Sequence, residues 1–218
     1  MRLLKDLFDN NRNWAAEMEQ REPEFFEKLA HQQTPQFFWI GCADSRVPAN
    51  EIIGLAPGEV FVHRNVANVV NPADPNCMSC LQYAVEVLKV KHVIVVGHYG
   101  CGGVRAVLDG QDTGLVGEWL EPVHAIFEKY RAQIEGDHAQ RWKILCDLNV
   151  VEQAAAVWRS PVIQNAWAAG QPVAIHGWIY AVGDGLLRDL QVTVASAAEA
   201  EQVRQRAIEQ ILTAGRAR

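Results

Sequence analysis

KHVIVVGHYGCGGV, at residues 91–104, joins the clearest strand of the chain to a loop that holds a histidine and a cysteine among four glycines. The apolar run before the loop is short and predicts a buried strand. Glycine lets the backbone turn tightly where that strand ends. His98 and Cys101 therefore follow a strand directly, at the edge where parallel sheets bind their ligands.

The rest of the chain alternates between short apolar runs and stretches of helical periodicity. Ser79 is interpreted as the N-cap of the helix that follows it. The last two predicted strands form a hairpin around the turn GDG. The apolar runs predict strands at 35–42, 58–65, 91–98, 173–182 and 185–196. The periodic stretches predict helices at 1–30, where a helix start lies near Pro23, and at 79–90, 118–135, 138–158, 161–169 and 196–215.

Strands separated by helices predict an α/β fold, with a mostly parallel central sheet, one antiparallel edge strand and helices on both faces. Cys42 also follows a predicted strand, so its loop and the loop at 97–101 open into one crevice if the two strands are neighbours. We interpret the chain as a single domain. Its parts are an N-terminal helical arm at 1–33, a sheet core at 34–192 and a C-terminal helix at 193–218.

The composition is that of a globular protein, with 49% hydrophobic residues in a chain of 218. The net charge of −6 argues against a nucleic-acid partner, which usually requires a basic face. No apolar run reaches the length of about 18 residues that a membrane span needs. The first residues turn polar at once and do not resemble a signal peptide, so we expect a cytoplasmic protein.

The cysteine count is odd, which does not fit a disulfide framework and favours metal binding, catalysis or burial. Cys77 and Cys80 form a C-x-x-C pair, but no strand precedes it directly as in thioredoxin-like motifs. We interpret Cys80 as part of the apolar face of a helix and Cys77 as a contact just before that helix. The five cysteines are Cys42, Cys77, Cys80, Cys101 and Cys146.

The histidine and cysteine of the quoted loop are spaced H-x-x-C, and CADSR at 42–46 offers a second thiol with a carboxylate two residues on. Thiolate, imidazole and carboxylate are the ligands that zinc accepts, and two close pairs on two loops are typical of a tetrahedral site. Two alternatives remain open: a purely structural zinc site, and a thiol hydrolase in which Cys101 is the nucleophile and His98 the base. The glycine pattern matches neither the dinucleotide fingerprint nor the P-loop.

Five stretches together resemble the β-class carbonic anhydrases, in the expected order and over about residues 36–191: CADSRVP at 42–48, HRNVAN at 63–68, GHYGCGGV at 97–104, HGWIY at 176–180 and DGLLRDL at 184–190. The resemblance implies the zinc-dependent, reversible hydration of carbon dioxide to bicarbonate and a proton, through zinc-bound hydroxide. It also implies one zinc ion per chain, with Cys42, His98 and Cys101 as its protein ligands.

In the resembling family, the residue at the position of Asp44 has two arrangements. It either closes the zinc site as a fourth ligand or pairs with the arginine at position 46 and orients the hydroxide. We therefore expect Asp44 and Arg46 to be the catalytic residues. Competition between the carboxylate and hydroxide implies regulation by pH.

The resemblance is strongest to a bacterial subtype that bicarbonate regulates, and it implies a second anion pocket formed by Trp39, Arg64 and Tyr180. These side chains could also be a core tryptophan, a structural ion-pair arginine and a strand tyrosine.

Substrate and assembly are also implied by the resemblance. Val47, Tyr83 and, from a partner subunit, Gln33 are expected to line the pocket for carbon dioxide. The N-terminal helices are expected to embrace a second subunit, giving a homodimer that assembles into a homotetramer.

Overall fold

The computed structural model describes residues 3–216, in two compact units that divide between Thr34 and Pro35. The first unit consists of helices α1 (Lys5–Arg21) and α2 (Phe25–His31). Within this unit the ring of Trp14 packs edge-on against that of Phe26, with centroids 5.6 Å apart. The single-domain interpretation stays a prediction.

In the described part of the second unit, five strands form one sheet in the order β2-β1-β3-β4-β5. The pairs β1–β2, β1–β3 and β3–β4 are parallel, and β5 is antiparallel to β4. The expected mostly parallel sheet with an antiparallel edge strand is therefore confirmed. The strands are β1 (Phe37–Cys42), β2 (Val60–Asn65), β3 (His92–His98), β4 (Ala174–Ala181) and β5 (Leu186–Val194).

The strand order places the functional loops. β1 has β2 on one side and β3 on the other, so the chain reverses its direction of winding between β1 and β3. Ligands of such sheets bind outside the carboxyl ends of the strands at this switch point. Cys42 is the last residue of β1 and His98 the last of β3.

The sheet carries helices on both faces. No helix among residues 3–216 is long and apolar enough to span a membrane, and a cytoplasmic location stays a prediction. The helices of the second unit are α3 (Ala49–Ile53), α4 (Pro75–Gln82), α5 (Gly102–Leu108), α6 (Leu115–Trp119), α7 (Glu121–Tyr130), α8 (His138–Arg159), α9 (Pro161–Ala168) and α10 (Ala197–Arg216).

Two helix boundaries differ from the prediction. α4 begins at Pro75 rather than after Ser79, because the Asp74 carboxylate accepts hydrogen bonds from the first free backbone N–H groups and Pro75 suits the first turn. Cys77 therefore lies inside the helix, and its interpretation as a contact before the helix is wrong. The predicted helix at 118–135 is divided, because Pro122 has no N–H for a continuing helix and instead occupies the first turn of α7.

The main core lies on one face of the sheet, where α8 is packed against β3, β4 and β5. A smaller apolar cluster covers the other face, built from Trp39, Ile94 and Val96 of the strands with Val47 and with Ala49 of α3. The two clusters fix which face of the sheet each strand side chain lies on. They also leave the carboxyl-end edge of the sheet to the polar loops.

The close approach of α8 to β3 gives a test of this packing. A Cβ at Gly97 would lie 2.5 Å from Val150 Cγ2 and 3.2 Å from Ile179 Cδ1. Overpacking of this kind costs about 1–3 kcal/mol. We expect Gly97→Ala to lower the free energy of unfolding by that amount, measured by equilibrium urea denaturation.

Gly183→Ala is the matched control, because a Cβ there meets no heavy atom of the described chain within 4 Å apart from its chain neighbours. Its free energy of unfolding should stay within about 0.5 kcal/mol of the original. Equal stabilities of the two variants would contradict the packing described for α8 and β3.

Candidate metal centre

Two neighbouring strand ends bring together two thiols and an imidazole. Cys42 and His98 end β1 and β3, and Cys101 precedes the first residue of α5. One ligand atom from each of the three lies within 4.8 Å of the others, and all three residues are buried. The sulfur atoms of Cys42 and Cys101 are 3.9 Å apart. The turn between the ligands uses Gly100, whose φ of +79° is disfavoured for other residues.

The imidazole of His98 is oriented for metal binding. Its Nδ1 lies 3.1 Å from the backbone carbonyl of Tyr99. A carbonyl only accepts, so Nδ1 carries the hydrogen and Nε2 presents a lone pair. Nε2 is buried, yet it has no hydrogen-bond partner among the described residues. An unsatisfied buried polar atom costs about 1–3 kcal/mol, and fixing one ring nitrogen by a carbonyl is typical of metal-ligating histidines.

The two thiols behave as a pair. The pKa of Cys42 is lowered to about 4, first because Cys101 donates its S–H, with further donation from the backbone N–H groups of Asp44 and Ala67. The pKa of Cys101 is raised, because its hydrogen is held by Cys42 and because it is buried. The first proton of the pair is thus lost readily, and a divalent cation would favour loss of the second.

The backbone that donates to Cys42 is held by polar side chains of α8. Ala67 has a left-handed conformation with φ of 62°. Its carbonyl accepts from Asn149 Nδ2 at 3.0 Å, and Asn149 Oδ1 accepts from Gln153 Nε2 at 2.9 Å. Gln153 Oε1 in turn accepts from the backbone N–H of Val70 at 2.7 Å. This fully buried network holds the segment beside the thiols.

Asn149 and Gln153 were not identified from the sequence. The only signal is that two polar residues stand four apart in a helix rich in apolar residues. That spacing puts them on one helix face. Their target on the segment at 66–70 becomes visible only in the folded chain.

Asp44 is held by Arg46. The guanidinium donates from Nε to Oδ1 at 2.9 Å and from Nη2 to Oδ2 at 2.7 Å, and the Arg46 backbone N–H donates to Oδ1 at 3.0 Å. These hydrogen bonds hold the pKa of Asp44 well below its usual range. Asp44 Oδ2 also lies 3.7 Å from His98 Nε2. The carboxylate is therefore ionised and adjacent to the ligand group, but turned toward Arg46.

Arg64 lies on β2 beside the same loop. Its Nε donates to the carbonyl of Cys42 at 2.9 Å, and its Nη2 donates to the carbonyl of Asp44. The guanidinium thus bridges two carbonyls of the segment that bears a ligand and the carboxylate.

Trp39 and Tyr180 lie in the smaller apolar cluster, Trp39 fully buried and Tyr180 half-buried. The indole Nε1 of Trp39 is buried and has no hydrogen-bond partner among the described residues. Gly41 lies directly beside it, since a Cβ at this position would be 2.2 Å from Nε1. Tyr180 is level with His98 in the pairing of β3 with β4.

The residues expected to line the substrate pocket are spread over the chain. Val47 is fully buried in the smaller cluster. Tyr83 is 44% exposed, and its ring lies 5.8 Å from that of Phe61. Gln33 is exposed and follows α2 in the first unit. Their role in a substrate pocket stays a prediction.

Cys77 and Cys80 have the environment of structural thiols. Burial raises the pKa of Cys77 to about 12, and burial also raises the pKa of Cys80. A redox pair needs a lowered thiol pKa and access to solvent. The pKa of each thiol is raised rather than lowered, in line with the interpretation of Cys80 as part of the apolar face of a helix.

Comparison with known proteins identifies the family. The family model for carbonic anhydrase matches residues 37–187. A carbonic anhydrase of Emericella nidulans is 45% identical over 188 residues, which cover 85% of this chain and 82% of that protein. The β-carbonic anhydrase of Coccomyxa, solved with acetazolamide, superimposes with a TM-score of 0.89 at 38% identity, covering 96% of this chain and 98% of that one.

A second similar structure is that of a tetrameric fungal enzyme. One of two tetrameric β-carbonic anhydrases of Sordaria macrospora superimposes with a TM-score of 0.82 at 37% identity, covering 87% of this chain and 97% of that one. Fungal proteins are prominent among the similar proteins. The bacterial bicarbonate-regulated subtype is not shown by these similarities and stays a prediction. The chain itself is a carbonic anhydrase and belongs to the β-class family, whose general activity is the hydration of carbon dioxide.

Proposed function

We propose that the chain catalyses CO₂ + H₂O ⇌ HCO₃⁻ + H⁺ with one zinc ion held by Cys42, His98 and Cys101. The observation that carries this proposal is the buried group of these three residues, whose ligand atoms lie within 4.8 Å of one another, together with the unpartnered Nε2 of His98. Two thiolates and a neutral imidazole balance the charge of a divalent cation. Soft sulfur with nitrogen is a donor set that favours zinc.

A zinc ion in such a site supplies a Lewis acid that makes a water molecule nucleophilic near neutral pH. The protein must then orient that water and keep competing ligands away. Asp44 Oδ2, 3.7 Å from His98 Nε2, is an ionised acceptor beside the reacting position. It would accept a hydrogen bond from the nucleophile and so direct the oxygen lone pair at carbon dioxide.

Arg46 is the group that keeps Asp44 in this role. Its two hydrogen bonds to the carboxylate turn both oxygens toward the guanidinium. A fourth protein ligand is characteristic of closed, structural zinc sites, whereas three ligands leave room for a reacting water. The pairing of Asp44 with Arg46 thus supports a catalytic rather than a structural metal.

The thiol-hydrolase alternative is weaker. A nucleophilic cysteine needs a lowered pKa and access to its substrate. The pKa of Cys101 is raised, and the residue is 2% exposed.

Substrate binding and assembly form a second part of the proposal. Val47 and Tyr83 would offer apolar surface to carbon dioxide, with Gln33 supplied by a partner subunit. The exposed apolar side chains of Val62, Val66 and Val87 favour association of two copies of the second unit. A homodimer that assembles into a homotetramer would match the assembly of the Sordaria macrospora enzymes.

Regulation by bicarbonate is the third part. The buried Nε1 of Trp39 is a hydrogen-bond donor without a partner among the described residues, as an anion pocket requires. Arg64 would supply the charge and Tyr180 a second donor. Arg64 already bonds to the carbonyls of Cys42 and Asp44, so an anion that draws its guanidinium away would disturb the loop that carries Asp44. Bicarbonate that binds better to the disturbed form of the loop would shift the protein toward that form and so inhibit the enzyme.

The first prediction is one zinc ion per chain, measured by elemental analysis of protein purified without added metal. Cys101→Ser should lose most of its zinc, because a hydroxyl is a far weaker ligand than a thiolate. Cys80→Ser is the control, since its sulfur lies outside the ligand group, and it should retain a full complement. Full zinc retention by Cys101→Ser would refute the site.

The second prediction concerns Arg46→Ala, which removes the partner that holds Asp44. Zinc content should stay near one per chain, while kcat/KM for hydration of carbon dioxide falls at least about tenfold, equivalent to about 1.4 kcal/mol. Stopped-flow assays measure the rate. Arg105→Ala is the matched control for Arg46→Ala. Arg105 also pairs with an aspartate, and its side chain is 54% exposed, like that of Arg46. Equal rates for the two variants would contradict the role of Arg46.

The third prediction tests the anion pocket. Trp39→Phe and Tyr180→Phe each remove one donor, so added bicarbonate should inhibit them several-fold less, relative to the bicarbonate-free rate of the same variant. Trp178→Phe, on the same sheet face, is the control and should be inhibited like the original enzyme. Undiminished inhibition of both pocket variants would mean that these side chains are only structural.

A further inference from the structure

Two histidines that the carbonic anhydrase site does not use face each other on the sheet. His92 begins β3 and His176 lies in β4, on the sheet face that bears the smaller apolar cluster. Nδ1 of His92 is 3.0 Å from Nε2 of His176. Both side chains are partly exposed, so a small solute can reach them from solvent.

Each ring is fixed by a contact away from the other ring. The ring of Phe37 stacks on His92, with centroids 5.5 Å apart and planes inclined by 21°. His176 Nδ1 lies 3.1 Å from Thr193 Oγ1 on β5. Four paired strands thus hold the two imidazoles, and a hydrogen bond at the non-ligating nitrogen is the usual support for a metal-binding histidine.

The electrostatic surroundings suit a cation. Burial, with a contribution from His92, lowers the pKa of His176, so its ring is neutral at physiological pH. Neutral imidazole is the form that binds metal ions. Asp189 on β5 adds negative charge close to His176.

The nitrogen separation allows both rings to contact one cation. Two bonds of about 2.0–2.1 Å put the nitrogens about 2.9 Å apart when they meet at a right angle, and about 3.3 Å apart at the tetrahedral angle. The observed 3.0 Å is the length of the hydrogen bond in the metal-free pair, and it lies within about 0.3 Å of both values. Nickel(II), copper(II) and zinc(II) all accept imidazole ligands.

We propose that His92 and His176 form a second metal site, which binds a divalent transition metal that accepts imidazole ligands, such as nickel(II) or copper(II). One hydrogen lies between the two nitrogens in the metal-free pair, and the cation takes its place. That hydrogen moves to the other nitrogen of the same ring, so no proton is released and no oxidant or reductant is needed. Water completes the coordination of the cation.

The test is a calorimetric titration of the zinc-loaded protein with nickel(II), which does not oxidise thiols as copper(II) does. We expect one nickel ion per chain, with unchanged zinc content in elemental analysis after the titration. His92→Gln and His176→Gln should each weaken nickel binding at least tenfold. His124→Gln, at an exposed histidine on α7, is the control and should bind like the original protein.

Three results would overturn the proposal: no nickel bound beyond the zinc site, nickel bound by both pair variants as tightly as by the original protein, or nickel that displaces zinc. Thermal unfolding of each variant shows whether it is folded, and His92→Gln decides the question if His176→Gln is not. Loss of nickel binding in His124→Gln alone would assign the metal to that surface histidine instead.

Discussion

The parallel pairing of β1 with β3 is the constraint on which the metal centre depends. Gly41 is level with Val96 in this pairing, which brings the ends of the two strands, and so Cys42 and His98, to the same edge. A slip of one residue would move one ligand along its strand by about 3.3 Å. Metal sites tolerate distance errors of only about 0.2 Å. The apolar residues on both sheet faces, which fix the register, are therefore as necessary to the site as its ligands.

Electrostatics at the site follows from burial combined with backbone donors. The Cys42 thiol accepts from the S–H of Cys101 and from backbone N–H groups, and these hydrogen bonds lower its pKa against the opposing effect of burial. Ala67, one of these donors, is held in turn by Asn149 and Gln153, whose side chains are satisfied inside the core. A fully satisfied polar network of this kind is rigid, because breaking any one hydrogen bond leaves a buried group unpaired. α8 thus supports the sheet through its apolar residues, and it supports the segment at 66–70, beside the thiols, through two polar residues.

Much of the fold could be predicted from the sequence, because short apolar runs bounded by glycine and proline mark the strands directly. The three metal-ligand candidates were also identifiable, since each follows a strand at a spacing that zinc sites use. Contacts between distant segments were not predictable. The hydrogen bonds of Arg64 to two backbone carbonyls depend on the path of the loop after β1. The start of α4 was misplaced because Asp74 competes with Ser79 as a cap and only the fold shows which of them caps the helix.

The contact between Gly41 and Trp39 couples the residue types that these two positions can hold. An indole in this orientation and any side chain at 41 would occupy the same space, because the added carbon would overlap Nε1. Within this backbone, a chain that gains a methyl group at 41 must reorient or replace its tryptophan. Homologous sequences can therefore be sorted by this pair alone, and a glycine at 41 beside a tryptophan at 39 marks a chain able to keep a buried indole N–H at this place.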